Sequence, residues 1–214
     1  MSTSIIFKNL AGTILTSQQT LISKYYSKEY FTDGKLYKIE NYINSQLSGG
    51  AYFLSGIEIL LDVVTQFKDI WSDGGQFYYN KQQIGEYSLW DWECYKGLDS
   101  TSKGKAVFND QMQFVTYQKI DISTLEIKET SKYYRLSNFE DFETDTNLSD
   151  YGKLEFIYRP EENIQVTIGL SGFEDDIYTI DENNNILYNP LLTPLFSWEN
   201  ETYYHSAEPL VPVQ

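Results

Sequence analysis

Residues 24–43 read KYYSKEYFTDGKLYKIENYI, and this stretch decides the fold class. Aromatic and apolar residues alternate with polar ones on both sides of Asp33-Gly34, a pair that can take the positive φ angles of a two-residue hairpin turn. The pattern predicts antiparallel strands over Lys24 to Phe31 and Tyr37 to Ile43. Because similar alternation recurs downstream, we predict an α+β protein that is predominantly antiparallel β, either a hairpin-rich sheet or a sandwich.

Three further hairpins are predicted downstream of the first. Residues 111–120 and 125–134 flank a turn at 121–123, with Leu125 and Ile127 expected on one face. Residues 153–159 and 163–170 flank the Pro160-Glu161-Glu162 turn. Residues 177–180 and 186–188 flank the run 181–185, whose short polar side chains favour a turn.

One helix is predicted, near residues 56–68. Ser55 followed by Glu58 has the spacing of a capping box, and apolar residues follow at helical intervals: Ile57, Leu60, Leu61, Val64 and Phe67. The opening residues fit a helix or a strand equally well. Gly74-Gly75 is predicted to be a turn.

The chain is predicted to be a single domain, residues 1–214, with two parts of different charge. Residues 1–135 are rich in aromatic residues and nearly neutral. Residues 136–214 carry 16 Asp or Glu against Lys153 and Arg159, a net charge of −14 out of −15 for the whole chain. The proline-rich end, residues 189–214, is expected to run extended over the surface and to order on a partner.

Composition bounds the compartment and the chemistry. The single cysteine, Cys94, excludes an internal disulfide and is compatible with a reducing compartment. The first residues lack the features of a signal peptide, and no apolar run is long enough to span a membrane. We therefore expect a cytoplasmic protein, or one inside an assembled particle, with no cofactor and no contact with membranes.

Catalytic and metal-binding readings of the sequence are weak. A dyad of Cys94 with the single histidine, His205, is arithmetically available, but Trp90, Trp92 and Cys94 alternate on one strand and predict a core face. Residues 141–147 place oxygen side chains at every second position, as in the first half of an EF-hand loop. Thr146 stands where that loop needs glycine, so a solvated acidic loop is favoured over a calcium site.

The stretch Tyr30-Phe31-Thr32-Asp33-Gly34-Lys35-Leu36-Tyr37 resembles the tyrosine-rich hairpin repeats of Rhs-type toxin shells and of MORN-like proteins. The resemblance covers about twenty residues, and no fixed period recurs through the rest of the chain. It implies hairpin structure for this stretch and no functional residue.

Concentrated acidity beside exposed tyrosines favours a non-catalytic protein-binding module, most concretely an inhibitor or immunity-type protein that docks on a basic effector. Direct binding of nucleic acid is disfavoured because phosphate contacts need Lys and Arg. The alternative is a structural subunit of a larger viral or secretion-machine assembly, which would form homo-oligomers or join other subunits. The predicted partner-binding residues are Asp141, Glu143, Asp145, Asp150, Glu174, Asp175, Asp176, Tyr178, Asp181, Glu182 and Tyr188.

Overall fold

The structure is a computed structural model that describes residues 2–9, 13–135, 153–169, 176–180 and 196–212. The helices are α1 (Ser17–Thr20), α2 (Leu60–Phe67) and a short 3₁₀ helix, Thr202–His205. The strands are β1 (Thr3–Lys8), β2 (Ile14–Leu15), β3 (Tyr25–Thr32), β4 (Lys35–Ile43), β5 (Gln46–Phe53), β6 (Gly74–Ile84), β7 (Tyr87–Lys96), β8 (Asp99–Phe108), β9 (Phe114–Ile120), β10 (Ile127–Arg135), β11 (Lys153–Tyr158), β12 (Ile164–Gly169) and β13 (Asp176–Ile180).

The described strands form one mostly antiparallel sheet, which confirms the predicted β-rich α+β fold. Strand order follows chain order from β3 to β13, and β1 and then β2 lie beyond β3 at the other edge. β5 and β6 pair in parallel, with α2 in the connection between them. This crossover is needed because a tight turn can join only antiparallel neighbours.

The first predicted hairpin is confirmed by β3 and β4. Asp33 and Gly34 have φ angles of 47° and 75°, and Thr32 pairs with Lys35 across the turn. The opening residues, which the sequence left open, are mainly strand: β1 pairs with β3 from Thr3 to Lys8. Local turn chemistry and strand alternation therefore account for this edge of the sheet.

The second and third predicted hairpins are β9 with β10 and β11 with β12. The turn at Asp121 forms as expected, with its Oδ1 accepting backbone hydrogen bonds from Ser123 and Thr124. The prediction that Leu125 continues a strand face is wrong, because Leu125 adopts a positive φ of 63° within that turn. β13 confirms the strand predicted at 177–180, and its predicted partner at 186–188 lies outside the described residues.

Helix α2 is shorter than predicted and begins at Leu60 rather than Gly56. Glu58 does accept hydrogen bonds from the Ser55 backbone and hydroxyl, at 2.6 Å and 2.9 Å, but this motif closes a turn ahead of the helix. As a result Ile57 is 94% exposed instead of inward-facing, and Leu61 is also exposed. Val64 is buried as predicted, Leu60 and Phe67 pack against the same core, and Val63 is a buried residue that the prediction missed.

The chain divides into two compact units. Unit 1 contains the described residues up to Lys81 together with Trp90–Lys103, and unit 2 contains Gln82–Leu89 together with the described residues from Gly104 onward. The boundary runs through strands β6 to β8 and so does not coincide with the change of charge near residue 135. The single-domain expectation stays a prediction.

The core of unit 1 lies under α2. Its buried side chains include Leu54, Val63, Val64, Trp71, Phe77 and Tyr95. Trp71 follows the helix and stacks on Phe67 with ring centroids 4.2 Å apart. Gly74-Gly75 is not the predicted turn but the start of β6. On β7, Trp90 and Trp92 are buried as predicted, whereas Cys94 is half-buried.

The core of unit 2 lies between strands β10 to β12 and residues 196–212, which we call the C-terminal segment. Its buried side chains are Leu154, Phe156, Tyr158, Val166, Phe196 and Tyr204. The C-terminal segment does not follow the extended surface path expected from its prolines. It contains the 3₁₀ helix and buries Phe196, Tyr204 and Leu210, because aromatic and leucine side chains gain more from the core than from solvent.

A buried polar cluster fastens the C-terminal segment to the sheet. Lys132 donates to the Tyr203 carbonyl at 2.7 Å, and the Tyr158 hydroxyl donates to the Tyr204 carbonyl at 2.6 Å. Thr116 donates to the Leu210 carbonyl at 2.8 Å. These bonds satisfy backbone carbonyls that would otherwise be buried without a partner.

Candidate functional site

Most of the predicted partner-binding residues lie outside the described part of the chain: Asp141, Glu143, Asp145, Asp150, Glu174, Asp175, Asp181, Glu182 and Tyr188. The calcium-like stretch 141–147 also lies there. Asp176 and Tyr178 belong to β13, where the register pairs them with Ile168 and Val166. The roles assigned to all eleven residues stay predictions.

The described part of the acidic third retains its negative charge. Arg159 is the one cation there whose side chain is described, and it binds Glu129 through Nε and Nη2, both 2.7 Å from Oε2. Its Nη1 donates to Gln165 at 2.8 Å. Glu161, Glu162, Glu199 and Glu208 are exposed, so local charge pairing leaves the surface acidic.

Unit 2 contains a groove with a volume of about 540 Å³. Its walls are rich in tyrosine, and we call it the tyrosine groove: Tyr87, Tyr133, Tyr134, Tyr203 and Tyr204 line it. Three carboxylates, those of Glu86, Asp110 and Glu201, line it together with Arg135. A concave site of this size with a few convergent polar groups is typical of ligand-binding pockets.

Four chain segments build the tyrosine groove. The turn between β6 and β7 supplies Glu86, and the first residue of β7 is Tyr87. The end of β10 supplies Tyr133 and Tyr134, and the turn before β9 supplies Asp110. The 3₁₀ helix of the C-terminal segment supplies the last two tyrosines and is preceded by Glu201. The groove therefore depends on the C-terminal segment being seated on the sheet.

Ring contacts hold the tyrosines of the groove in place. Tyr204 meets Tyr134 edge to face, with ring centroids 5.6 Å apart, and meets Tyr203 in the same way at 4.9 Å. The Tyr204 hydroxyl donates to the Tyr133 carbonyl at 3.2 Å. These edge-to-face contacts and the bonded hydroxyl favour one orientation of the Tyr204 ring and position Tyr134 and Tyr203 against it.

The phenols of the groove stay protonated at neutral pH. Burial and a hydrogen bond to the Glu86 carboxylate raise the pKa of Tyr87, and burial and the charge of Glu201 raise the pKa of Tyr134. Burial likewise raises the pKa of Tyr204. The charged groups of the groove are therefore three carboxylates and one guanidinium, and the balance is negative.

His205, the histidine of the possible dyad with Cys94, contacts Trp198. The His205 ring stacks on Trp198, with centroids 4.2 Å apart, and its Nε2 lies 2.7 Å from the Trp198 carbonyl. No cluster of three or more His, Cys, Asp or Glu side chains suited to a metal occurs in the part of the chain that the structure describes. No helix in that part is long and apolar enough to cross a membrane.

Sequence reasoning did not anticipate the tyrosine groove. The doublets Tyr133-Tyr134 and Tyr203-Tyr204 signal that some rings cannot all enter a core, since neighbouring strand residues point to opposite faces. Their meeting depends on the C-terminal segment folding back over about seventy residues of intervening chain, a contact that no local pattern encodes.

No protein-family model matches this chain, and neither a curated protein nor a solved structure shows significant similarity to it.

Proposed function

We propose that the protein is a non-catalytic binding module that docks through its acidic last third on a basic protein, as an inhibitor or immunity-type protein does. The observation that carries the proposal is the concentration of charge: residues 136–214 have a net charge of −14, and the described Arg159 is already committed to Glu129. Charge gathered on one surface steers association with an oppositely charged partner. Tyrosines beside it supply rigid anchors.

The proposal predicts that the protein captures a basic partner from a lysate of its native host in a salt-dependent way. The protein is compared with a variant in which four acids are neutralised, the 141–150 variant, which carries Asp141→Asn, Glu143→Gln, Asp145→Asn and Asp150→Asn. Wild-type protein is expected to retain the partner at about 50 mM salt and to lose most of it at about 300 mM, because screening shortens the range of charge attraction. With the purified partner, the variant's association rate is expected to fall several-fold.

A matched control keeps the change in charge but moves it elsewhere. Asp62→Asn, Asp73→Asn, Asp99→Asn and Glu126→Gln neutralise four exposed acids of residues 1–135. The control is expected to behave as wild type. Equal capture by all three proteins would mean that the acidic third serves solubility, and would refute the proposal.

A structural subunit of a larger assembly is the second candidate function, and exposed apolar side chains of unit 1 favour it. Leu21, Ile22 and Ile57 are 78%, 87% and 94% exposed. A contiguous patch of exposed aliphatic groups is typical of a surface that another subunit covers, and Leu21 and Ile22 are neighbours in the sequence.

The assembly function predicts discrete oligomers of the purified protein. Sedimentation velocity at micromolar concentrations is expected to show them, and Ile22→Asp or Ile57→Asp is expected to shift the distribution toward monomer, because a buried unpaired charge opposes association. Lys119→Asp, at an exposed position of β9, controls for the introduction of an acid. A wild-type monomer at all concentrations would exclude self-assembly.

A further inference from the structure

The tyrosine groove combines two features that favour a cation. Aromatic faces attract an ammonium or guanidinium through the ring quadrupole, and carboxylates attract it by charge and hydrogen bonding. Glu86, Tyr87, Tyr134 and Glu201 line the groove together, and the carboxylates of Glu86 and Glu201 contribute to the raised pKa values of Tyr87 and Tyr134. Each of these tyrosines therefore shares the groove with a carboxylate that interacts with it.

In unit 1 the same combination already holds a lysine. Lys38 lies 3.9 Å from the centroid of the Tyr30 ring while its Nζ is 2.7 Å from Glu40. At Tyr203, which belongs to the groove, Lys132 lies 3.8 Å from the ring centroid and donates to the Tyr203 carbonyl, so that ring already has a cation. A tyrosine ring with a neighbouring carboxylate is thus a lysine-binding arrangement that this structure demonstrates.

We propose that the tyrosine groove receives a lysine or arginine side chain from a short basic segment of the protein partner. The inference rests on the proposed function and names the recognition element within it. Tyr87 and Tyr134 provide ring faces for the cation, and Glu86 and Glu201 bind its N–H groups. The volume of about 540 Å³ exceeds one side chain and accommodates the flanking backbone of the segment.

The charge balance of the groove discriminates between occupants. Its carboxylates outnumber Arg135 and repel phosphates and acidic peptides. An uncharged sugar could stack on the same rings without using Glu86 or Glu201 as ion partners. The sugar is therefore the competing occupant that an experiment must separate from the cationic side chain.

The test is an NMR titration of the full chain with the peptide acetyl-Gly-Lys-Lys-Lys-Gly-amide. The matched probe replaces each lysine by norleucine, which keeps the stem and removes the charge. We expect the lysine peptide to shift resonances of the groove residues and the norleucine peptide to bind at least tenfold more weakly. Glu86→Gln with Glu201→Gln is expected to weaken lysine-peptide binding about tenfold, and Tyr87→Leu about threefold.

Control variants distinguish binding in the groove from general attraction to the acidic surface. Tyr25→Leu and Glu126→Gln, both exposed positions outside the groove, are expected to leave the affinity unchanged. If the 141–150 variant weakens binding and the groove variants do not, the groove inference fails while the proposed function stands. If no variant affects binding, or the lysine peptide does not bind, the groove inference fails, and the capture experiment decides the proposed function by itself.

Binding of maltohexaose with shifts at Tyr87 and Tyr134, together with no response to the lysine peptide, would overturn the inference in favour of a sugar site. Circular dichroism spectra and melting temperatures equal to wild type confirm that each variant is folded before its affinity is interpreted.

Discussion

Replacement of Trp71 by alanine is expected to lower the free energy of unfolding by about 3 to 5 kcal/mol. The indole is 2% exposed and stacks between α2 and the sheet, with its ring centroid 4.2 Å from Phe67 and 5.6 Å from Phe77. Truncation removes its buried apolar surface and leaves a cavity that α2 and β6 can fill only partly. Urea unfolding followed by far-ultraviolet circular dichroism measures the loss.

Gly75, which packs against the Trp71 indole, allows a more specific test of this packing. A Cβ at Gly75 would lie 2.2 Å from Cε3 of the indole, so Gly75→Ala is expected to cost about 1 to 3 kcal/mol in the wild type. In the Trp71→Ala background Cε2 of Phe77, 3.2 Å from the added Cβ, is the nearest atom that remains, so Gly75→Ala is expected to cost much less. The pair should therefore show a coupling energy well above 0.5 kcal/mol, roughly the limit for independent sites.

Gly50 provides the control for this double-mutant cycle. A Cβ there would lie 2.1 Å from the backbone oxygen of Ile39 as well as 2.9 Å from the indole. Because the backbone contact remains when Trp71 is removed, Gly50→Ala is expected to destabilise both backgrounds. If Gly75→Ala lowers the free energy of unfolding equally in the two backgrounds, the packing of the Trp71 indole does not require glycine at position 75.

The contrast between Asp33-Gly34 and Gly74-Gly75 shows which parts of the fold local sequence can predict. Asp33-Gly34 forms a turn because its own backbone angles close the hairpin, so the pattern sufficed. Gly74-Gly75 has an equally turn-like composition, yet it opens β6 because Trp71 needs a strand without a side chain at Gly75. Trp71 is close to Gly75 in the sequence, but the constraint comes from where the indole packs in three dimensions, which the composition of a glycine pair does not encode.

The candidate site likewise has one part that the sequence predicts and one part that it does not. Net charge is additive along the chain, so the acidic third follows directly from composition. The tyrosine groove depends instead on the C-terminal segment, whose prolines favoured an extended path. That segment folds back because Phe196 and Tyr204 complete the core of unit 2 and because Lys132, on β10, bonds to its backbone.

Lys132 is unusual in unit 2 because a lysine side chain is rarely buried in a protein core. Its side chain is 0% exposed, and its Nζ donates to the Tyr203 carbonyl at 2.7 Å and lies 3.8 Å from the Tyr203 ring centroid. Burial lowers the pKa of the Lys132 ammonium to about 8, and attraction to Glu208 offsets this only in part. The charge is therefore held in the core against a desolvation cost.

This lowered pKa makes stability depend on pH in a defined direction. Between pH 8 and 10.5 the unfolded chain keeps the proton on Lys132 and the folded protein releases it, so the contribution of this group to stability rises with pH. Relative to Lys132→Met, which cannot titrate, the free energy of unfolding of the wild type is expected to rise by about 2 to 3 kcal/mol from pH 7 to pH 10.

Urea unfolding of both proteins at intervals of one pH unit measures this difference, and taking it between two proteins cancels most of the ionisation of their shared tyrosines. Lys119→Met, at an exposed position of the neighbouring strand β9, is the control for loss of one positive charge, and its difference from wild type is expected to stay flat. A flat difference for Lys132→Met as well would mean that Lys132 has the same proton affinity folded and unfolded. The Tyr203 carbonyl and ring and the charge of Glu208 would then offset the whole desolvation cost of the Lys132 ammonium.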